Sequence, residues 1–316
     1  IISDGTSLGL FRREFMALHA GEELPPLSIH YKDYAEWQNS AGQKERIRLQ
    51  EEYWVEQFAE GVPILELPTD YPRPPQKSTE GSIIFFYIDG KETAVLNRMA
   101  LEHETTMYTV LLAVYYVFLA KLSGGEDIVV GTPTAGRVHA DLESIIGMFV
   151  NTLSIRNYPK KEKSFREFLQ EVKTRTLAAF ENQDYQFEDL IEKLDLKRDM
   201  SRSPLFDVMF SLQNMELTEI EIPGLKLNPY EHENKTAKFD LMLMGYEVED
   251  RLRFSIEYST KLFKKESIER FIGYFKDIVI AAAEDIDVRL LDINLAGHLT
   301  DQKPEISQEI RGDFDF

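Results

Sequence analysis

Apolar residues recur at helical spacing along Phe11 to Ala20, and Gly21 to Pro26 closes that run with a glycine and two prolines. A second amphipathic helix is predicted over 42–59, where Ile47, Leu49, Tyr53, Trp54 and Phe58 interrupt a charged background. The stretch Leu67 to Pro75 then carries four prolines in nine residues, which removes amide donors and disfavours helix, so it reads as a stiff, extended connector. Beyond it, Ser82 to Ile88 reads as a strand, followed by helices near 91–104 and 106–122, the latter ended by Gly124-Gly125 as a C-cap. Asp127 to Gly131 is a short β-branched run expected to end at the Gly-Thr-Pro turn. Lys163 to Gln183 is a helix with Ser164 as N-cap, and Ser267 to Ala283 is the last helix, with Ile268, Phe271, Ile272, Phe275, Ile278 and Val279 on one stripe. Strands are expected over Phe206 to Gln213, Leu225 to Tyr230, Ala237 to Tyr246 and Leu252 to Tyr258. Such a mixture predicts an α+β or α/β sandwich.

Composition narrows the function classes more than the fold. With 43% hydrophobic residues, 20 Phe and 14 Tyr, the 316-residue chain can bury a sizeable core. Its 36 basic against 55 acidic residues give a net charge of −19, which argues against nucleic acid or an anionic membrane as the main partner. With no cysteine, thiolate catalysis, disulfides and cysteine-ligated metal are excluded, and a reducing cytoplasm is the expected compartment. The apolar stretch Met107 to Ala120 is shorter than the ~20 residues a membrane span needs, so it predicts a buried core helix. The six histidines form no HExxH, and GxSxG, P-loop and GxGxxG motifs are missing, so hydrolase, NTPase and dinucleotide readings lack support and no metal site is expected.

Six segments, in order from residue 1 to 206, carry a family pattern. Ser3-Asp4-Gly5 resembles the end of HHxxxDG, and Ile29 to Gln38 resembles YxDYAxWQ. Val130 to Arg137 contains a GTPT turn followed by Gly136-Arg137, and Ile146 to Thr152 resembles IGxFVNT, with Arg156 following. Glu181 to Leu190 is similar to HQDYPFE, with Asn182 and Gln186 at positions where histidine and proline are common, and Arg198 to Phe206 matches RDxSRxPLF. The chain therefore resembles the condensation domains of nonribosomal peptide synthetases.

The resemblance implies a chloramphenicol acetyltransferase-like α+β fold, a two-layer sandwich in a V-shaped, two-lobed domain of which most of the N-terminal lobe is missing. Residues 1–66 would be the remainder of that lobe, 67–81 the inter-lobe connector, 82–300 the C-terminal lobe and 301–316 an acidic linker. The implied activity is amide-bond formation between a donor acyl- or peptidyl-thioester and an acceptor aminoacyl-thioester. Phosphopantetheine arms of upstream and downstream carrier proteins would deliver both, beside a neighbouring adenylation domain, and the domain would hold no cofactor of its own. Two histidines are expected immediately before Ile1, so the sequence alone is expected to be inactive. A cyclisation domain would carry DxxxxD instead. A non-catalytic module that docks carriers or recruits a partner is the alternative from another class.

Residue by residue, the resemblance makes Asp4 and Gly5 the catalytic loop. Asp4 would shape that loop through an arginine, Arg137 or its rival Arg156, and Gly5 would form a tight turn whose amide faces a developing oxyanion. Asn151 and Ser7 are expected to line the tunnel between the lobes, since a neutral amide within Met148-Phe149-Val150 is expensive to bury unpaired. Its competing reading is a satisfied structural amide. Tyr34, Trp37 and Trp54 are expected core anchors, Asp199 and Arg202 an ion pair, and His139 a surface residue despite its closeness in sequence to Arg137.

Overall fold

The computed structural model describes residues 2–197, 199–213 and 235–295; the expected strand at 225–230 and the linker at 301–316 lie outside them. Eight α-helices are described: α1 (Gly5–His19), α2 (Tyr31–Gln38), α3 (Ala41–Gln57), α4 (Gly90–Glu102), α5 (Met107–Ser123), α6 (Phe165–Glu181), α7 (Phe187–Lys193) and α8 (Lys265–Glu284). The strands are β1 (Gly81–Ile88), β2 (Ile128–Thr134), β3 (Asn151–Asn157), β4 (Val208–Gln213), β5 (Leu241–Val248) and β6 (Arg251–Ser259). They form one mixed sheet in the order β1-β6-β5-β4-β2-β3, with β4 parallel to both β2 and β5 and the other pairs antiparallel.

Helices α4, α5, α6 and α8 pack together and onto one face of this sheet, giving a two-layer α+β sandwich. Helix α5 is the centre of that layer: residues 109–119 are all buried, because its apolar surface runs all round and α4, α6, α8 and the sheet enclose it. The Thr106 hydroxyl accepts the Thr109 amide at its start, and Gly124 ends it in the left-handed region at φ 73°. Together with α4 it forms a pair bent by 109°, and no single helix among the described residues is long and apolar enough to cross a membrane. Ser164 caps α6 in a reciprocal box with Glu167, as its spacing predicts. The predicted stripe of α8 is buried throughout.

Several sequence expectations need correction. Strand β2 does not stop at Gly131 but continues through Pro133 to Thr134, paired with β3. Its pairing with β4 is registered only at Gly131, so Pro133 lies where β2 has become an edge on that side, the place a missing amide donor is tolerated. Strand β3 has no expected counterpart. Its Asn, Thr, Ser and Arg residues break the apolar signal, yet Ser154, Arg156 and Asn157 are all buried. Helix α1 begins at Gly5, six residues before the apolar periodicity does, because Asp4 caps it.

Of the expected aromatic anchors, Trp54 is buried (2% exposed), and its indole N–H donates to the carbonyl of Asn182 at 2.8 Å. Trp37 is 44% exposed and is not a core anchor, because the α2 it occupies has no fully buried residue and only leans on a small satellite core. That satellite comprises Leu142, Ile145 and Phe149, with Ile29 and Tyr34 packed against it. Asp199 and Arg202 do not form an ion pair: Asp199 accepts from the amide and hydroxyl of Ser201, while Arg202 bonds Asp207 at 2.6 Å and Glu66 at 2.8 Å.

Candidate active site around the start of α1

Asp4 is extended (φ −121°), and its side chain accepts the amide of Ser7 at 2.8 Å, which starts α1 at Gly5. This is the geometry a short acidic residue adopts before a helix, since it satisfies one of the orphan amides of the first turn. The second carboxylate oxygen accepts the amide of Phe149 at 3.1 Å, a residue 145 positions away. Arg137 completes the arrangement. Its Nη2 lies 3.2 Å from Asp4 Oδ1 and 3.0 Å from Ser7 Oγ, its Nη1 donates to the carbonyls of Leu142 and Ile145, and its guanidinium stacks 4.1 Å from the centre of the Phe149 ring. Both side chains of the Asp4–Arg137 pair are almost fully buried, at 1% and 4% exposure.

Burial alone would raise the Asp4 carboxyl. The hydrogen bonds from Ser7 and Phe149 and the charge of Arg137 outweigh it and hold the group below the usual carboxylate value of 3.8. A carboxyl with a depressed folded-state pKa adds stability above its unfolded value, and that stability is lost as pH falls through the folded one. The stability gap between the native chain and Asp4→Asn is therefore expected to be full at neutral pH and to close as pH drops below about 3.8. Urea denaturation of both proteins across that range checks this, and a gap that widens in acid would contradict it.

Ser7 is 1% exposed and its hydroxyl bridges both backbone groups of Gly147, donating to the carbonyl at 2.8 Å and accepting the amide at 3.0 Å. Such a hydroxyl has no capacity left for a tunnel, so Ser7 is a clamp, contrary to expectation. Asn151 is likewise corrected. Its Nδ2 donates to the carbonyls of Gln183 and Tyr185, and its Oδ1 accepts the amides of Thr152 and Phe187. It is a fully paired structural amide joining β3 to the chain entering α7, where the 181–190 motif lies.

Arg156 belongs to another place altogether: it bonds Asp127 at 2.6 Å and the carbonyls of Gln57 and Gly61, tying the end of α3 to β2 and β3. Gly5 does not form a left-handed turn; it is the exposed first residue of α1, and a Cβ added there would meet nothing within 4 Å. As the first residues of the helix, Gly5 and Thr6 present amides with no intrahelical acceptor. The glycine that backbone geometry does demand is Gly136, at φ 63°, where a Cβ would lie 1.9 Å from the Phe149 carbonyl oxygen. His139 is exposed and accepts the Asp141 amide.

A second buried charge cluster was not foreseen. Arg73 of the connector reaches Asp240, which is 2% exposed, while Lys77 donates to the Ser203 hydroxyl. Burial pushes the Asp240 carboxyl up and the Lys77 ammonium down from their ordinary values. The Lys-Phe-Asp-Leu segment at 238–241 was the available signal, with a carboxylate set in an apolar strand start.

A helix start, a buried acid–arginine pair and a backbone segment gripped between them are thus mounted on a six-stranded α+β sandwich. A protein-family model described as "Condensation domain" matches residues 1–303, and the chain belongs to that family. It is 50% identical over 290 residues to bacitracin synthase 3 of Bacillus licheniformis, covering 92% of this chain and 5% of that protein. Against gramicidin S synthase 2 of Brevibacillus brevis it is 49% identical over 311 residues, covering 98% and 7%. The chain thus spans a small part of the curated relatives it matches. A four-domain nonribosomal peptide synthetase bound to AMP and glycine superposes with a TM-score of 0.83 at 23% identity, over 95% of this chain and 24% of that one. The X-domain from teicoplanin biosynthesis superposes at 0.82 and 24% identity, over 93% and 69%. These structural likenesses establish the fold.

Proposed function

We propose that this chain contributes the α1 side of a site that joins a donor acyl- or peptidyl-thioester to the free amine of an aminoacyl-thioester, both presented on phosphopantetheine arms of carrier proteins within a multidomain synthetase. The observation that carries the reading is the Asp4–Ser7–Arg137 clamp. It holds the first turn of α1 in a fixed place, with the amides of Gly5 and Thr6 free of intrahelical partners.

In the step itself the amine nitrogen attacks the thioester carbonyl, the carbon–nitrogen bond forms, and the carbon–sulfur bond breaks. The thiol leaves with the proton that the amine gives up. A neutral amine is already competent toward a thioester, so holding both arms in register supplies much of the rate. Amides aimed at the developing oxyanion supply more, because they need no reorganisation. An activated serine or cysteine has no part in such a reaction.

The test is single-turnover amide formation between two loaded carriers, measured in a full-length synthetase containing this sequence. Transfer is expected with the native sequence, and Asp4→Ala is expected to slow it by at least tenfold. Undiminished transfer by Asp4→Ala, with normal folding, would sink the role given to the clamp.

A further inference from the structure

Arg73, Lys77 and Ser78 of the proline connector line a small cleft together with Ser201, Asp240 and Ser259 of the sandwich. The charges around this cleft are unevenly paired. Asp240 takes Arg73, whose Nη1 lies 3.1 Å from its Oδ1 and 3.3 Å from the Ser201 carbonyl. Asp207, the next carboxylate, takes Arg202 at 2.6 Å and the Ser203 amide at 3.1 Å. Lys77 is the cation left over. It has no ion pair among the described residues; its ammonium donates to the Ser203 hydroxyl and lies 5.1 Å from the centre of the Phe239 ring. An ammonium carries three donors, and taking one out of water with a single hydroxyl partner is expensive. Desolvation accordingly holds Lys77 below the usual lysine range, by more than Asp207 and Asp240 lift it.

A second group lining the cleft is also unsatisfied. Ser259 is 6% exposed, and its backbone is fully used: the amide donates to the Asp240 carbonyl, and the carbonyl accepts from Leu262 and Phe263. Its hydroxyl takes no hydrogen bond among the described residues. A spare ammonium and a spare hydroxyl donor, beside carboxylates that already have their arginines, suit a negative ligand. Size narrows the choice. The cleft has room for about one water-sized group, which admits a halide ion and excludes an oxyanion or an organic acid.

We propose that this cleft is a halide site, in which chloride is held by the Lys77 ammonium and the Ser259 hydroxyl and fastens the connector to the sandwich. The Lys77 amide already donates to the Met200 carbonyl at 2.8 Å, so the ion would secure from the side-chain end a stretch that the backbone secures from the other. Asp240 lines the same cleft, and its pairing with Arg73 is what keeps its charge from expelling the ion.

The test is thermal unfolding of the chain at constant ionic strength, with sodium chloride replacing sodium gluconate, whose anion is too large for the cleft. The melting temperature is expected to rise with chloride and then level off, as binding to the native state alone requires. Lys77→Met, similar in length but uncharged, is expected to lose this rise. Ser259→Ala should need about fivefold more chloride for half of it, the worth of one hydrogen bond, and decides the matter if Lys77→Met does not fold. Crystals grown with bromide should show an anomalous scattering peak within hydrogen-bonding distance of Lys77 Nζ. A rise of the same size and shape in both variants would be a general salt effect, and no rise in the native chain would leave the cleft to water. Either result overturns the site.

Discussion

Arg137→Ala is expected to destabilise the chain by about 3–5 kcal/mol, the usual cost of removing one partner of a buried ion pair. The cost comes less from the lost attraction than from what remains. Asp4 would keep a buried carboxylate with only amide partners, the carbonyl of Ile145 would lose its side-chain donor and that of Leu142 one of its two donors, and the Phe149 ring would lose the cation stacked on it. Arg137→Lys is expected to recover only part of the loss. A single ammonium cannot fork between two carbonyls on one side and a carboxylate plus a hydroxyl on the other. Urea unfolding of the two variants beside the native chain measures this. Native-like stability in Arg137→Ala would mean that the loop stands without its hub, and the arrangement around α1 would need another explanation.

Asn151→Ala is expected to cost about 2–3 kcal/mol, since leaving one buried polar group unpaired costs about 1–3 kcal/mol and four groups lose their partner here. The total stays below a simple sum because water and small shifts re-pair some of them. Two carbonyls and two amides meet at one side chain, so Asn151→Asp should be harmful as well: a carboxylate cannot donate to Gln183 and Tyr185. Thermal unfolding of both variants, with amide formation read in the same full-length protein, separates the roles. A variant that unfolds normally and loses only turnover would return Asn151 to the substrate path.

Helices were the most legible part of this chain. Residues 42–59, 106–122 and 267–283 advertise themselves by spacing and caps, and they fold as α3, α5 and α8 with ends shifted by a few residues at most. Strand β3 was not legible, because its buried positions include Ser154, Arg156 and Asn157, polar residues that break the apolar signal a buried strand gives, and Arg156 is buried only because the fold brings it to Asp127 and the carbonyls of Gln57 and Gly61. The same limit explains Trp37. An aromatic at helical spacing signals packing, but α2 rests on a satellite core too small to cover it.

The candidate site divides along the same line. Asp4, Ser7, Arg137 and Asn151 were recognisable from their motifs, since polar residues in those settings demand partners wherever they end up. Which partner each takes was beyond the one-dimensional pattern. Arg137 and Arg156 are equally good forks on paper, and only the fold brings one to Asp4 and the other to Asp127, the Gln57 carbonyl and the Gly61 carbonyl. Local chemistry along the chain determined family, elements and the identity of the polar groups, because caps, periodicity and motif order are short-range properties. Tertiary structure alone decided pairing and exposure, because those depend on which surfaces the sheet and helices bring within hydrogen-bonding distance across more than a hundred residues.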